Sequence, residues 1–340
     1  MKPVRVWLFT VAALIFVMVS IGGATRLTGS GLSITEWQPI MGAIPPLTDA
    51  AWQEAFSKYR QIPQYQQVNK GMSLAAFKFI YWWEWSHRFL ARLVGVAFLV
   101  PFVYFIFARR IPWALVPKLG AIFLLGGLQG FIGWYMVSSG LAGRVDVSQY
   151  RLALHLSLAV LILGAVLWIA FGLRDPPSRR AAGSLTGYGT AKVVLGLVFL
   201  QIVAGAFVAG MKAGAGYNTW PLMEGRIIPD GLFALYPRWA NLFENALTVQ
   251  FNHRVLAYVL FGAVLWQVWR VVQHTSDSAG QMSAVALLFA VTAQIALGIW
   301  TLLAQVPIEL GLAHQAGAVS VFWIAVWHLH ALSRRRHVPT

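Results

Sequence analysis

The chain has 340 residues, of which 58% are hydrophobic and only 11% are charged. A soluble domain is nearer to half apolar and a quarter charged, so the composition indicates a polytopic membrane protein. The sequence contains no cysteine, which excludes disulfides, zinc–thiolate sites, iron–sulfur clusters and covalent c-type haem attachment. The net charge of +15 could suggest a nucleic-acid partner, but the basic residues lie in short loops and tails, so nucleic acid is not an expected partner.

Eight apolar runs follow one another, and each is long enough to cross about 30 Å of hydrocarbon. Because the runs are continuous and not alternating, they predict membrane-spanning helices and exclude a β-barrel. The fold class is therefore all-α. The predicted spans are 7–24, 87–108, 113–137, 152–171, 191–211, 250–270, 282–303 and 311–332.

Basic residues are denser in the loops that lie inside if the N-terminus is inside, so the positive-inside rule predicts that both termini are cytoplasmic. The opening MKPVRVWLFTVAALIFVMVSIGGA could also be a cleaved signal peptide. The internal repeat argues against cleavage, because the first span has a partner in the fifth. With no transit segment before the first span, we expect a bacterial cell inner membrane.

The sequence contains an internal repeat of a four-span unit, which predicts two parallel-repeat four-helix bundles. HRFLARLVG in the second span matches HRVLAYVLFG in the sixth, and the third and seventh spans share Gln-x3-Gly, which we interpret as close helix packing. The Pro/Gly/Ser-rich loop between the halves predicts the boundary. The expected domains are residues 1–172, a cytoplasmic linker 173–190, and residues 191–340.

Four histidines stand at matching positions near the starts of the even-numbered spans: His87, His155, His253 and His314. Histidine within a membrane is costly and marks a functional site by default. A haem iron takes two imidazoles on opposite faces of the porphyrin, and facing helices can present them. The repeat therefore predicts axial ligand pairs His87 with His155 and His253 with His314, near the outer ends of their helices.

Simpler alternatives stay open for single residues. An interfacial histidine can cap a helix or bond a carbonyl. The arginines that follow two of the ligands, Arg88 and Arg254, could hold haem propionates or could snorkel at the bilayer edge. Four further histidines lie at the inner ends of spans without repeat partners, and we expect them to be solvated or snorkelled: His274, His328, His330 and His337.

The repeats differ at one informative position. Glu84 precedes His87 by three residues and shares its helical face, whereas Gln250 precedes His253. A carboxylate can take protons or stabilise a cation, and an amide of similar shape cannot. The difference predicts one reactive and one non-reactive site. The alternative is that Glu84 simply pairs with Arg88.

These residues resemble the haem A synthase family, in its cysteine-free, bacterial and mitochondrial-like branch. The resemblance covers nearly the whole chain and rests on GGATRLTGSGLSITEWQPIMGAIPP, Glu-x-x-His at Glu84, NTWPLMEG, NHR at His253 and GLAHQ at His314. Some members carry a cysteine pair in the first outer loop, and this chain has none.

The resemblance implies an oxidoreductase that converts haem O to haem A for terminal oxidases. It implies two successive hydroxylations of one porphyrin methyl group, with a gem-diol that collapses to the formyl group and oxygen derived from water. It assigns a resident haem b to His253 and His314, and a substrate-haem site to His87 and His155 with Glu84 as the essential carboxylate. Haem O delivered by haem O synthase, membrane lipid and an unidentified electron acceptor are the expected partners, and a homo-oligomer is left open.

Two other classes of function compete with this interpretation. A di-haem b membrane electron-transfer cytochrome would use two permanent and equivalent haems, which the difference between Glu84 and Gln250 argues against. A transporter built from parallel repeats would place polar or broken helices at the membrane midplane. Here the polar residues cluster near the outer ends of the spans.

Overall fold

The computed structural model describes residues 1–38, 40–173, 187–274 and 278–333. Within these ranges the regular secondary structure is helical, apart from one isolated β-bridge between Met223 and Arg226. The predicted all-α class is confirmed. The α-helices are α1 (Lys2–Leu27), α2 (Asp49–Tyr59), α3 (Pro63–Gln67), α4 (Leu74–Phe107), α5 (Val116–Leu141), α6 (Gln149–Gly172), α7 (Tyr188–Gly210), α8 (Ala213–Gly216), α9 (Asn241–Glu244), α10 (Ala246–His274), α11 (Ser278–Leu303) and α12 (Ile308–Ser333), and three short 3-10 helices are Met41–Ala43, Trp113–Leu115 and Arg238–Ala240.

Eight of the described helices are long and apolar enough to cross a membrane: α1, α4, α5 with the 3-10 turn before it, α6, α7, α10, α11 and α12. The prediction of eight spans in a polytopic membrane protein is thereby confirmed. The predicted ends agree with the helices to within five residues, except at the start of the second span.

The second span was predicted to start at residue 87, and this boundary is wrong. Helix α4 begins at Leu74, where the N-cap side chain of Ser73 accepts a hydrogen bond from the Ala76 amide at 3.2 Å. Its first turns bury Phe77 and Tyr81 against aromatic residues of α2. His87 therefore lies within a long helix and not near its start.

The described residues form two compact units. Unit 1 comprises residues 1–12 and the described residues from 163 onwards, and unit 2 comprises the described residues of 13–162. In unit 1, α7 packs against α10 and α12, and α11 packs against the same two helices, so these four close into a bundle. The division at residues 173–190 predicted from the repeat stays a prediction.

In unit 2, α4 packs against α5, and the short helices α2 and α3 pack against α4 and α5. The loop after α1 is anchored to this layer. Leu32 is buried against Gly140 of α5, where a Cβ would lie only 2.7 Å from the leucine methyl carbons. Gln64 of α3 donates to the Gly29 carbonyl at 3.1 Å. The loop residues that follow Leu32 are thus held over the side of α4 that carries Glu84.

Candidate functional site

The histidine on α4 packs against a glycine of the neighbouring helix α1. A Cβ added at Gly22 would lie 3.1 Å from Nε2 of His87, closer than side chains normally approach. His155 on α6 has the same relation to Gly133 of α5, where a Cβ would lie 3.0 Å from Cε1. His87 and His155 are close enough to interact electrostatically. Unit 2 thus brings together the two histidines that the repeat had paired.

The histidines of unit 1 repeat this arrangement. His253 on α10 packs against Gly205 of α7, and His314 on α12 packs against Gly298 of α11, with added Cβ atoms 3.2 and 2.7 Å from the respective Cε1 atoms. His253 and His314 also lie within electrostatic range of each other. All four histidine residues are intermediate in burial, neither fully buried nor exposed.

The carboxylate of Glu84 is buried, with 2% of the residue exposed. Its Oε2 accepts hydrogen bonds from the Ser33 hydroxyl and the Ile34 amide, both at 2.8 Å. Its Oε1 accepts from Arg88 Nε at 3.0 Å and Nη2 at 2.6 Å. Two of these four donors belong to one guanidinium, and charge-assisted hydrogen bonds of this kind are short and strong. Glu84 also ties the loop after α1 to α4.

Arg88 pairs with Glu84, as the alternative interpretation of the sequence had it. Its Nη1 donates to the Glu36 carbonyl at 2.9 Å, and its Nη2 also donates to the Ile34 carbonyl at 2.7 Å. Guanidinium has five N–H groups, and these contacts use four of them. The role of Arg88 toward a propionate therefore stays a prediction.

Arg254 differs sharply from Arg88. Its Nη2 donates to the Tyr217 carbonyl at 3.1 Å, but its Nε and Nη1 are buried with no hydrogen-bond partner among the described residues. Gln250, which takes the place of Glu84 in this half, is 4% exposed and also has an unpartnered Oε1. Buried cationic donors without an acceptor are rare, and a carboxylate ligand beside His253 would satisfy them.

One glutamine that contacts a candidate histidine ligand was not predicted from the sequence. Gln129 and Gln294, noted only as parts of packing motifs, each place the side-chain amide on a neighbouring histidine, His155 and His314 respectively. Gln201 does the same to His253 from α7. The sequence did contain this signal, because Gln201 precedes Gly205 by four residues as in the other two motifs.

The prediction that the inner-end histidines are solvated is wrong for two of them. His328 is 1% exposed and bonds Gln267 and Ser283 at 2.8 Å each. His330 is 8% exposed and packs edge-on against Trp168. His328 and His330 are buried because their polar and aromatic partners lie on helices of unit 1 that are distant in sequence. His274 is exposed as predicted, and His337 lies outside the described residues.

Comparison with known proteins covers almost the whole chain. Residues 5–326 match the model of the COX15-CtaA family, described as cytochrome oxidase assembly protein. A heme A synthase of Parvibaculum lavamentivorans is 59% identical over 329 residues, which are 96% of this chain and 94% of that protein. Heme A synthases of Mesorhizobium japonicum and Azorhizobium caulinodans are 52% and 50% identical, covering 96% and 99% of this chain and 89% and 96% of theirs.

Proposed function

The chain belongs to the COX15-CtaA family of cytochrome oxidase assembly proteins, and on that premise we propose that it is a haem A synthase. It is an oxidoreductase of the membrane that converts a methyl group of haem O to the formyl group of haem A, for use by terminal oxidases. The carrying observation is the similarity to heme A synthases at 50–59% identity along nearly the full length of both chains. The eight apolar helices found among its described residues fit an enzyme that handles lipophilic haems in a membrane.

The reaction needs one water and an electron acceptor. Written in full, the methyl group and one water give the formyl group, four protons and four electrons. Two hydroxylations accomplish this, since the second makes a gem-diol that loses water. We assign the oxygen to water and the four electrons to an electron acceptor that is not identified.

We assign His253 and His314 to a resident haem b, with Arg254 binding a propionate. The donor chemistry supports this assignment. Two histidines within electrostatic range of each other stand beside a buried guanidinium with two unpartnered nitrogen atoms. A bound haem b supplies one-electron transfer. The chain supplies the two imidazoles, a charge partner for the propionate and the glycines that let the rings approach neighbouring helices.

We assign His87 and His155 to haem O as substrate and Glu84 to the chemistry. Glu84 lies one helical turn from His87, and its negative charge is held by Arg88 and Ser33. Loss of electrons from a methyl group on a conjugated ring leaves positive charge on its carbon. A fixed carboxylate stabilises that charge and can accept a proton from the attacking water. Gln250 could do neither, which is why the reactive site is assigned to the N-terminal half.

The two halves are proposed to be parallel repeats, with both termini in the cytoplasm and the histidine sites toward the outer face. The matching histidine–glycine contacts in units 1 and 2 support the repeat. The distribution of basic loop residues supports the orientation. The bacterial inner membrane, haem O synthase as the source of substrate, and self-association remain proposals of the same kind.

The decisive experiment is extraction and identification of the haems from purified protein. Haem b together with haem O or haem A is the expected result. Two equivalents of haem b, with neither haem O nor haem A after expression alongside haem O synthase, would contradict the proposal and favour the di-haem electron-transfer cytochrome.

A further inference from the structure

In three of the four candidate ligand histidines, the side-chain amide of a glutamine on the neighbouring helix contacts both the ring and the backbone carbonyl. In each case the amide Nε2 lies 2.7–3.1 Å from the histidine's own carbonyl oxygen and 3.0–3.2 Å from its Nδ1. In each case the glutamine precedes by four residues the glycine on which the ring packs. The three pairs are Gln129 with His155, Gln201 with His253, and Gln294 with His314.

The amide oxygens of the same three glutamines are buried and have no hydrogen-bond partner among the described residues. A buried acceptor without a donor is unfavourable. An imidazole that gives Nε2 to iron carries its proton on Nδ1, and such a proton is nearly always donated to a neighbouring acceptor. In the structure the amide nitrogen is the atom that faces Nδ1 and the backbone carbonyl. A turn of the amide that brings its unpartnered oxygen to Nδ1 would make it an acceptor of this kind, while Nε2 keeps the backbone carbonyl.

Glycines make room for both the amide of Gln294 and the ring of His314. A Cβ at Gly317 of α12 would collide with Oε1 of Gln294, so the absence of a side chain there makes space for the amide oxygen. Together with Gly298 under the ring of His314, small residues flank both partners of this pair.

The fourth histidine, His87, has no glutamine at the equivalent position of its neighbouring helix. The position four residues before Gly22 is Met18, whose thioether cannot donate a hydrogen bond and accepts one only weakly. We propose that the glutamines of the three pairs are positioning residues that fix the ring orientation and the Nδ1 proton of their histidines, and that Met18 leaves His87 as the one adjustable ligand. The inference rests on the proposed function, because it assigns the loosely held ligand to the haem that must enter as haem O and leave as haem A.

The chain itself supplies the test substitutions. Gln201→Met and Gln294→Met introduce the residue that precedes Gly22 by four positions, and Met18→Gln is the reciprocal change. Gln267→Met is the matched control, because Gln267 is a buried glutamine that bonds His328, which is not an assigned ligand. The measurements are haem b retained per protein during detergent washing, and the midpoint potential and electron paramagnetic resonance spectrum of the haem that remains.

Loss of a hydrogen bond to a metal-bound histidine typically weakens binding about 10–100-fold. We expect Gln201→Met and Gln294→Met to lose haem b about that much more readily and to raise its midpoint potential, because a less basic imidazole stabilises ferric iron less. Gln201→Glu keeps an acceptor and adds charge, so it should lower the midpoint potential. Met18→Gln should make the substrate-site haem harder to wash out.

The inference is overturned if the Met and Glu variants at 201 shift the midpoint potential in the same direction or not at all. It is also overturned if Gln267→Met has the same effect as Gln201→Met. A protein that keeps full haem b after His253→Ala and His314→Ala would instead refute the proposed ligands. The two failures are therefore distinguishable.

Discussion

Replacing Glu84 with glutamine removes one negative charge and keeps the shape of the side chain. It also gives the N-terminal half the residue that the C-terminal half carries at position 250. In the wild type, Glu84 accepts four hydrogen bonds, from the Ser33 hydroxyl, the Ile34 amide and two nitrogen atoms of Arg88. The substitution therefore tests a catalytic charge, but it also disturbs the attachment of a loop.

The size of each effect can be worked out from these contacts. A positioned acid–base group contributes about 10²–10⁴-fold in rate, which corresponds to about 3–5 kcal/mol of transition-state stabilisation. Removing one hydrogen bond to a charged group costs about 1.5–3 kcal/mol of local stability. Ser33→Ala removes one such bond to Glu84 and leaves the charge and Arg88 in place. It is therefore the matched control for loop attachment.

The assay is the haem content of purified protein after expression with a supply of haem O, together with the rate of haem A formation. Glu84→Gln should keep haem b, because that haem is assigned to unit 1, and it should accumulate haem O or the hydroxylated intermediate with little haem A. Ser33→Ala should form haem A at a rate nearer to wild type. Haem A formation by Glu84→Gln at the wild-type rate would refute the catalytic role and leave Glu84 as the structural partner of Arg88.

Three further predictions concern ligands, charge and topology. His253→Ala and His314→Ala should each lose haem b, whereas His328→Ala should keep it, and full haem b in both ligand variants contradicts the assignment. In Gln250→Glu the new carboxylate should form an ion pair with Arg254, as Glu84 does with Arg88, so haem b should be lost more readily during detergent washing than in Gln250→Ala. Equal retention of haem b in the two variants excludes the propionate role of Arg254. Because the chain has no native cysteine, Ser57→Cys should label only from outside, and Ser184→Cys, outside the described residues, only from inside; labelling of both from one side refutes the topology.

The spans and the histidine pairs could be predicted from the sequence because both depend on local patterns. An apolar run shows its length directly, and a repeat shows which residues occupy equivalent places. The start of α4 could not be predicted in this way. Residues 74–86 are mixed aromatic and charged, and their helix is stabilised by packing against α2 and the loop after α1. That packing joins segments far apart in the chain.

The partners of buried polar side chains were harder to predict for the same reason. His328 is buried because Gln267 of α10 and Ser283 of α11 both reach it, and neither residue is near it in sequence. Gln201 was missed because the first span has Met18 instead of glutamine, so the first and fifth spans do not share the Gln-x3-Gly motif. Comparison of the two halves reveals residues that both carry. It does not reveal a residue, such as Gln201, that only one of them carries.

The N-terminal half has glutamate where the C-terminal half has glutamine. This difference also changes the hydrogen-bond partners of the arginine one turn further along each helix. Where Glu84 is present, it occupies Nε and Nη2 of Arg88, and the loop carbonyls take further donors. Where Gln250 is present, Nε and Nη1 of Arg254 remain buried without a partner among the described residues. On the proposed assignment, a resident haem needs a lasting partner for its propionate, and a substrate haem that must leave needs a weaker one. If that assignment is right, the difference between Glu84 and Gln250 separates a site suited to chemistry and release from a site suited to retention.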